Sequence, residues 1–246
     1  MKKLITLLLL TLVSPLSLLF GQTDPVKYMV HEVIVKPSMD VQYREATKKL
    51  IAACEGNKTS FGWTAVSHDD NSYLYLAPMK DFSELGVSHF AELRKKLGDE
   101  AMNKIWSAID ECTVSSSDYV VAMLPEFSYL GPPPAEEHYR DVTYWWPLHG
   151  KNPEAQKLLA EWKKLYESKK SQDGYTVYRV LYGRELGYAI VSWGKNRLDA
   201  ATKASKSDEL LGEESHKLWL RTQAISWKYE NKRAWINSDL SYTPAK

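Results

Sequence analysis

The apolar positions in the first half of the chain alternate between strand-like and helix-like spacing. Residues 28–37 ("YMVHEVIVKP") are rich in β-branched and aromatic side chains and end at a proline, which is typical of a β-strand. A helix is predicted next from residues at helical spacing, namely Tyr43, Ala46, Thr47, Leu50, Ile51 and Cys54. Residues 61–79 predict a hairpin, residues 85–112 a helical tract interrupted near Gly98, and residues 118–124 a fourth strand. The predicted order is βαββαβ.

The second half repeats this order. Residues 139–148 predict a strand, and residues 152–170 a helix with Asn152 and Pro153 at its start. A hairpin is predicted over 175–193, a helix over 198–223 and a last strand over 226–236. The halves are joined by residues 131–138 ("GPPPAEEH"), whose three prolines suit a stiff extended linker. The chain therefore predicts two copies of one unit.

A short phrase follows the fourth strand of each copy. "PEFSYLGP" (125–132) and "SDLSYTPA" (238–245) share an acidic residue, an apolar residue, Ser, Tyr and a nearby proline. Ser241 follows Ser128 by 113 residues, and Tyr188 follows Tyr73 by 115. Because both copies keep the phrase, we interpret it as a structural device. We expect each segment to pack at the junction between the copies, with the Tyr129 and Tyr242 rings buried.

A single βαββαβ unit forms a four-stranded antiparallel sheet with both helices on one face. The predicted strands are apolar on both faces, so the second face also needs a cover, and the sheet of the other copy can provide it. We therefore predict an α+β fold of two tandem ferredoxin-like repeats packed sheet to sheet. The predicted boundaries are 22–130 for the first repeat, 131–138 for the linker and 139–246 for the second.

Residues 1–21 are typical of a signal peptide, because Lys2 and Lys3 precede an apolar run from Leu4 to Phe20 and then Gly21. We expect an exported protein, periplasmic or secreted, with no membrane span after cleavage. Cleavage would lower the count of Lys and Arg from 32 to 30 against 31 acidic residues. A chain so close to neutral, with dispersed basic residues, is not expected to bind nucleic acid.

Cys54 and Cys112 end the two predicted helices of the first repeat, on their apolar faces. The helices should run parallel and bring these ends together. A Cys54–Cys112 disulfide is one prediction for an exported protein, and two buried free thiols are the other.

The sequence contains no histidine or cysteine spacing typical of a metal site, and no motif of a nucleophilic triad or nucleotide loop. The tryptophans are the stronger signal, because seven of the nine follow residue 140. On adjacent strands of the second repeat they predict a pocket for a small apolar or aromatic ligand. The candidate ligand-binding residues are Trp145, Trp146, Trp193, Trp227, Tyr144, Tyr178, Tyr229 and Arg179, and Trp235 lies beside them. Core packing by the same rings is the alternative.

The order and repetition of the elements resemble the dimeric α+β barrel superfamily, with both halves in one chain. The phrase after each fourth strand is similar to that of tandem members exported by Gram-negative bacteria. The superfamily includes antibiotic-biosynthesis-type monooxygenases, haem-handling enzymes and the NIPSNAP group. The resemblance implies a functional histidine on the second helix of a repeat, for which His89 and His216 are the candidates. An accompanying Asn-Trp-His set cannot be assigned, so the sequence supports the fold better than the function.

Two functional hypotheses follow. The first is a binding protein for an apolar or aromatic ligand, with no catalytic signature and both halves of the pseudo-dimer in one chain. The second, implied by the resemblance, is a cofactor-free monooxygenase or a haem-handling enzyme. Haem or flavin is the cofactor that this second hypothesis allows, although no motif indicates either. An enclosed cavity with His89 or His216 at its wall would favour the enzyme.

Overall fold

The chain forms one closed barrel of eight antiparallel strands with helices on its outside. This computed structural model describes residues 25–131 and 133–245. The strands are β1 (Lys27–Val35), β2 (Thr64–His68), β3 (Ser72–Met79), β4 (Thr113–Met123), β5 (Tyr139–Pro147), β6 (Tyr175–Tyr182), β7 (Tyr188–Gly194) and β8 (Ser226–Ile236). The α-helices are α1 (Asp40–Gly56), α2 (Ala91–Leu97), α3 (Asp99–Asp110), α4 (Asn152–Lys169) and α5 (Arg197–Ala224).

The strand order around the barrel is β1-β3-β2-β8-β5-β7-β6-β4. Within each repeat the first strand pairs with both the third and the fourth, as the βαββαβ order predicts. The repeats join where β2 pairs with β8, with Val66 opposite Ile236. They join again where β4 pairs with β6, with Met123 opposite Tyr178. The predicted α+β fold of two tandem repeats is confirmed, and the edge strands of the two sheets pair with each other to close one barrel.

The alternation of side chains along each strand produces three apolar clusters. Val30 of β1 faces the interior of the barrel, where it packs with Leu74 and Tyr119. Its neighbours Val33 and Val35 face outward and pack under the helices of the first repeat. A third cluster lies under the helices of the second repeat. Both faces of the sheet are therefore buried, which explains why the strands are apolar at odd and even positions alike.

The second helical segment of each repeat is interrupted at a glycine. In the first repeat Gly98 has a φ of 84° and separates α2 from α3. In the second repeat Gly212 has a φ of 56° and bends α5. Both values lie in the left-handed region, which glycine adopts at low cost. The interruption predicted near Gly98 in the tract 85–112 is thus confirmed, whereas its start is corrected: a 3₁₀ turn (Phe82–Gly86) precedes α2, which begins only at Ala91.

The phrase after each fourth strand crosses to the other repeat. Tyr129, which follows β4, forms a β-bridge with Tyr175 at the start of β6. Tyr242, which follows β8, forms a β-bridge with Trp63 just before β2. Tyr242 is buried and Tyr129 is half-buried. The expectation that these segments pack at the junction of the repeats is confirmed.

The predicted signal peptide, residues 1–21, lies outside the described residues. Across the described ranges, no helix has both the length and the apolar character needed to cross a membrane.

Cys54 and Cys112 are both free and buried in the structure. This agrees with the alternative of two buried free thiols rather than with the predicted Cys54–Cys112 disulfide. They belong to the same apolar cluster under the first-repeat helices. The Cys112 thiol donates a hydrogen bond to the Ala108 carbonyl, one helical turn earlier, at 3.3 Å. Burial raises the pKa of both thiols, which disfavours the reactive thiolate.

Candidate active site

Two cavities lie between the sheet and the helices, one in each repeat, and a third lies inside the barrel. We call the first the repeat-one cavity. It has a volume of about 490 Å³ and opens between α1, α3 and the outer face of β1, β3 and β4. Its aromatic lining residues are Tyr43, Phe61, Trp63, Tyr75, Phe90 and Trp106. Such a lining suits a flat aromatic ligand.

The aromatic rings at one side of the repeat-one cavity are arranged edge to face around Phe90. The Phe90 ring makes such contacts with Phe61 and Trp63, at centroid distances of 5.8 and 6.0 Å. Trp106 approaches Phe90 at 5.3 Å with an interplanar angle of 78°. The indole N–H of Trp63 donates to the Leu240 carbonyl at 2.8 Å, which fixes that ring in place. This wall is therefore closely packed and largely apolar.

His89 is the polar group in this wall. Its ring stacks on Phe61 with a centroid distance of 3.9 Å and an interplanar angle of 14°. Its Nε2 atom is buried and has no hydrogen-bond partner among the described residues. Burial lowers the His89 pKa, so the ring is neutral near pH 7. An unpaired buried nitrogen costs about 1–3 kcal/mol, and cavity-lining atoms of this kind are candidates for contact with a ligand.

A pair of tyrosines forms a second polar group. The hydroxyls of Tyr43 (α1) and Tyr75 (β3) share a hydrogen bond of 2.8 Å. Burial raises the Tyr75 pKa to about 12, and burial together with Tyr75 raises that of Tyr43 further. Both hydroxyls therefore stay protonated at neutral pH. Since one hydroxyl donates to the other, one proton of the pair remains free to bind a ligand oxygen.

A histidine and a carboxylate stand at the mouth of the cavity. His31 on β1 lies directly opposite Asp118 on β4, and His31 Nδ1 is 2.8 Å from Asp118 Oδ1. Both side chains are substantially exposed. A carboxylate that accepts a hydrogen bond from Nδ1–H fixes the imidazole tautomer and leaves Nε2 as a proton acceptor. The pair has the arrangement of a general base and its orienting group.

The second repeat lacks this pair at the equivalent place. Thr143 on β5 lies opposite Asn231 on β8, as His31 lies opposite Asp118. The Thr143 hydroxyl donates to Asn231 Oδ1 at 2.8 Å, so the hydrogen bond is kept while the ionisable groups are absent. The duplicated fold thus has a potential proton acceptor at this position in one repeat only.

The predicted histidines have different positions. His89 does not lie on a helix, as the sequence suggested, but in the turn that precedes α2. It does line the repeat-one cavity. His216 lies on α5 as predicted, but its side chain is exposed and it lines none of the three cavities. The reason is helical phase, because the buried face of α5 includes Leu211 and Leu218, and His216 lies between them on another face.

The predicted ligand-binding residues do not form one site. Trp145 and Tyr229 line the second-repeat cavity, whereas Tyr144, Trp146 and Tyr178 line the barrel interior. Neighbouring strand residues point to opposite faces, which separates Trp145 from Trp146. Three further candidates line none of the three cavities, namely Trp193, Trp227 and Arg179. Trp193 is buried against Gly174, and Trp227, like Trp235, is largely exposed, so these rings serve packing or face solvent.

The cavity inside the barrel is smaller, about 240 Å³. His68 is buried in its wall, where Nδ1 is 3.0 Å from the Ser72 hydroxyl and Nε2 is 3.2 Å from the Tyr144 hydroxyl. Burial, with the nearby Lys232 ammonium, lowers the His68 pKa to about 4. The polar atoms of His68 are thus occupied by protein partners, and this cavity is the weaker candidate for catalysis.

Most of the repeat-one cavity was not predicted from the sequence. The many tryptophans of the second half were the stronger signal, whereas the first half contributes only Trp63 and Trp106. The signal for the His31–Asp118 pair was present, since the predicted pairing of the first and fourth strands places the two residues on neighbouring strands. Only the register, which puts them directly opposite each other, was missing.

Comparison with known structures agrees with this architecture. An anthrone oxidase-like protein superimposes with a TM-score of 0.59 and 14% sequence identity, covering 87% of this chain and 92% of its own. The chain has the dimeric α+β barrel fold. A protein provisionally assigned as a monooxygenase from Lactobacillus acidophilus NCFM has a TM-score of 0.53 and 8% identity, covering 90% of this chain and 98% of its own. Another from Fusobacterium nucleatum has a TM-score of 0.52 and 13% identity, covering 86% and 92%.

No protein-family model matches the chain, and no curated protein matches its sequence. At these identities the dimeric α+β barrel neighbours show a shared fold alone.

Proposed function

We propose that the repeat-one cavity binds a flat phenolic aromatic compound and catalyses its oxidation by O₂ without a bound cofactor. The observation that carries this proposal is the His31–Asp118 pair beside an aromatic cavity, where the second repeat has Thr143 and Asn231. Oxidation of an acidic C–H or O–H by O₂ begins with removal of a proton, and a carboxylate-oriented histidine suits that step. The names of the similar proteins, anthrone oxidase-like and monooxygenase, support the same class of reaction.

The lining of the repeat-one cavity offers aromatic contacts to the rings of such a ligand and polar contacts to its oxygens. Its rings would lie against Phe61, Trp63 and Trp106, where stacking and burial favour binding. Its hydroxyl or carbonyl oxygens would bind the free proton of the Tyr43–Tyr75 pair, and one of them would also satisfy His89 Nε2. These contacts fix the orientation of the ring system relative to His31.

The chemistry balances with O₂ as the co-reactant. His31 Nε2 removes one proton from the CH₂ group of an anthrone-type ligand, and the resulting carbanion is stabilised as an enolate by the conjugated carbonyl group and aromatic rings. Electron transfer to O₂ and recombination form a C–O bond, and the proton returns to give a hydroperoxide. Loss of water, which carries away one oxygen atom and both hydrogens, leaves a carbonyl. The CH₂ group is oxidised, and O₂ is reduced to that carbonyl oxygen and one water.

Haem and flavin fit this lining poorly. Haem propionates and flavin phosphates are anions that proteins commonly hold with Arg or Lys. The described residues that line the repeat-one cavity include neither, and Asp118 stands at its mouth. The lining is suited to a neutral aromatic ligand, and no step above uses a cofactor.

The test is aerobic turnover of anthrone by the purified protein. We expect O₂ uptake equal to the anthraquinone formed, at a rate well above that of buffer. His31→Gln should reduce this rate by about 100-fold or more, because general-base catalysis contributes that much. His216→Gln is the matched control, since that exposed histidine lines none of the cavities, and should leave the rate unchanged. An anthrone oxidation rate equal to that of buffer, or an unchanged rate in His31→Gln, would contradict the proposal.

A second candidate is ligand binding without turnover. The observation in its favour is the exposure of His31 and Asp118, since water around this pair would weaken the electrostatic interaction between them. Anaerobic titration with anthrone separates the two. Binding with quenching of tryptophan fluorescence, combined with no aerobic turnover, would identify a binding protein.

A further inference from the structure

The cavity of the second repeat differs from that of the first in charge. We call it the repeat-two cavity. It has a volume of about 380 Å³ and lies between α4, α5 and the outer face of β5 to β8. We propose that the repeat-two cavity binds an organic cation with a quaternary or aromatic ammonium group. This inference concerns a different cavity from the proposed oxidation site and does not depend on it.

Six aromatic rings line this cavity, namely Trp145, Trp162, Tyr166, Tyr175, Trp219 and Tyr229. Tyr166 meets Tyr175 edge to face at 5.0 Å, and Trp219 meets Tyr229 edge to face at 5.4 Å. Because the rings in each pair are nearly perpendicular, they form a corner with ring faces in different directions. Corners of this kind are the building units of aromatic cages for ammonium groups.

The polar ends of the tryptophans are already occupied. The Trp145 indole N–H donates to the Ser226 hydroxyl at 2.6 Å, and that of Trp162 donates to the Thr222 hydroxyl at 3.2 Å. Ser226 and Thr222 in turn donate to backbone carbonyls. These indoles therefore offer a ligand their π-faces rather than hydrogen-bond donors, which favours a cation over a carboxylate.

Three carboxylates line the same cavity, Asp141, Asp173 and Asp208, and the described lining residues include no Lys or Arg. None of the three forms an ion pair within the part of the chain that the structure describes. The basic residues near the cavity pair with other acids: Lys203 binds Glu137 and Asp199, Lys169 binds Glu214, and Arg233, which lies opposite Asp141 on β8, is 3.8 Å from Asp69. Among the described residues, the cavity thus has three carboxylates without a direct ion pair beside its aromatic rings.

An unpaired hydroxyl is an independent indication that this cavity receives a ligand. Tyr175 is 7% exposed and lines the cavity, yet its hydroxyl has no hydrogen-bond partner among the described residues. Trp63 takes the equivalent place in the first repeat. Trp63 forms a β-bridge with Tyr242, just as Tyr175 forms one with Tyr129. Trp63 does find a partner, the Leu240 carbonyl. Buried polar atoms without a partner are rare, and a ligand is a common explanation.

Equivalent positions in the two repeats show how the two cavities differ in charge. Two residues before Trp63 stands Phe61, and two residues before Tyr175 stands Asp173. An aromatic ring in the first cavity is thus replaced by a carboxylate in the second. The two cavities of one fold have diverged, with neutral aromatic lining in one and acidic aromatic lining in the other.

Calorimetric titration of the full protein with benzyltrimethylammonium tests the proposal. Benzyl alcohol is the neutral aromatic control, and benzoate is the anionic one. We expect benzyltrimethylammonium to bind at least about tenfold more tightly than benzyl alcohol, and benzoate to bind more weakly still. Equal affinity for the cation and the alcohol, or no heat of binding at millimolar benzyltrimethylammonium, would overturn the proposal.

Variants locate the site. Asp173→Asn and Trp219→Leu should each weaken binding of benzyltrimethylammonium by about five- to tenfold. The controls are Asp239→Asn, at an exposed acid outside the cavity, and Trp227→Leu, at an exposed tryptophan of the same repeat. Both should bind as the unaltered protein does. Undiminished affinity in Asp173→Asn and Trp219→Leu, with cooperative thermal unfolding retained, would place the cation elsewhere and refute the assignment. Anthrone turnover in the same variants distinguishes a failure here from a failure of the oxidation site.

Discussion

The Ser241 hydroxyl accepts a hydrogen bond from the backbone N–H of Ala65 at 2.9 Å. The same hydroxyl donates to the Asn237 carbonyl at 2.8 Å. One short side chain thus holds its own turn and joins the end of the chain to β2 of the other repeat. The serine is therefore part of the contact that closes the barrel.

Ser128 makes the same two bonds at the other junction. Its hydroxyl accepts from the Val177 N–H at 2.9 Å and donates to the Leu124 carbonyl at 2.8 Å. We therefore expect Ser128→Ala and Ser241→Ala to lower the free energy of unfolding by about 1–2 kcal/mol each, because each leaves a backbone N–H without its partner. Urea unfolding measures this. Ser116→Ala, on an exposed part of β4, is the control and should have little effect.

The effects of Ser128→Ala and Ser241→Ala should add, since the serines lie at separate junctions. A double variant that loses no more stability than either single variant would mean that the two junctions are not independent. Full stability in both single variants would show that water replaces the serine hydroxyl at no cost.

The two equivalent serine contacts show what the sequence could predict. The repeated Ser-Tyr phrase, together with the order of the elements, led to the fold and to the position of these segments. Because Trp145 and Trp146 are neighbours on one predicted strand, the sequence already implied that they face opposite sides of the sheet. The His31–Asp118 pair could not be derived, because it depends on the register between strands 87 residues apart. The place of His89 could not be derived either, because α2 begins only at Ala91 and leaves His89 in the turn before it.

His68 predicts a loss of stability in mild acid. Its folded-state pKa is about 4, lowered by burial from an ordinary value of 6.5. The unfolded chain therefore binds the proton more tightly, and stability falls as the pH drops from about 6.5 towards 4. The full contribution is about 3 kcal/mol.

Unfolding in urea at several pH values measures this contribution. In His68→Gln the decline between about pH 6.5 and pH 4 should become shallower, since the group that takes up the proton is gone. Gln does not titrate in this range, and His138→Gln serves as the control at an exposed histidine. An unchanged slope in His68→Gln would mean that other groups cause the acid sensitivity.

Asp173 predicts a dependence of the opposite sign. Burial, aided by Asp208 and Asp141, raises its folded-state pKa from 3.8 to about 6. The folded chain then binds the proton more tightly, so stability falls as the pH rises from about 4 to 6 and stays lower above that. Asp173→Asn should raise the free energy of unfolding at neutral pH by about 1 kcal/mol after allowance for partial solvent exposure.

The same substitution should weaken binding of benzyltrimethylammonium while it stabilises the fold. A purely structural carboxylate would affect stability alone. Denaturant titrations at about pH 5 and pH 8, with Asp239→Asn as the control, measure the stability part. A loss of stability in Asp173→Asn at neutral pH would contradict the expected sign.

The Tyr43–Tyr75 pair predicts coupling between two substitutions. Tyr75→Phe leaves the Tyr43 hydroxyl buried without this partner, because Tyr43 is 1% exposed. The expected cost is about 1–3 kcal/mol, and Tyr43→Phe should have a similar effect on Tyr75. The double variant removes both hydroxyls together, so its loss should be smaller than the sum of the single losses.

The same double-mutant cycle, measured with bound anthrone, tests the role of the pair in the repeat-one cavity. If the pair donates its free proton to a ligand oxygen, the double variant should bind anthrone about five- to tenfold more weakly, although its fold is nearly as stable. Tyr28→Phe, a tyrosine that lines the barrel interior instead, is the matched control and should bind anthrone normally. Equal anthrone affinity in the double variant and the unaltered protein would exclude the tyrosines from ligand binding and leave His89 as the polar contact in that cavity.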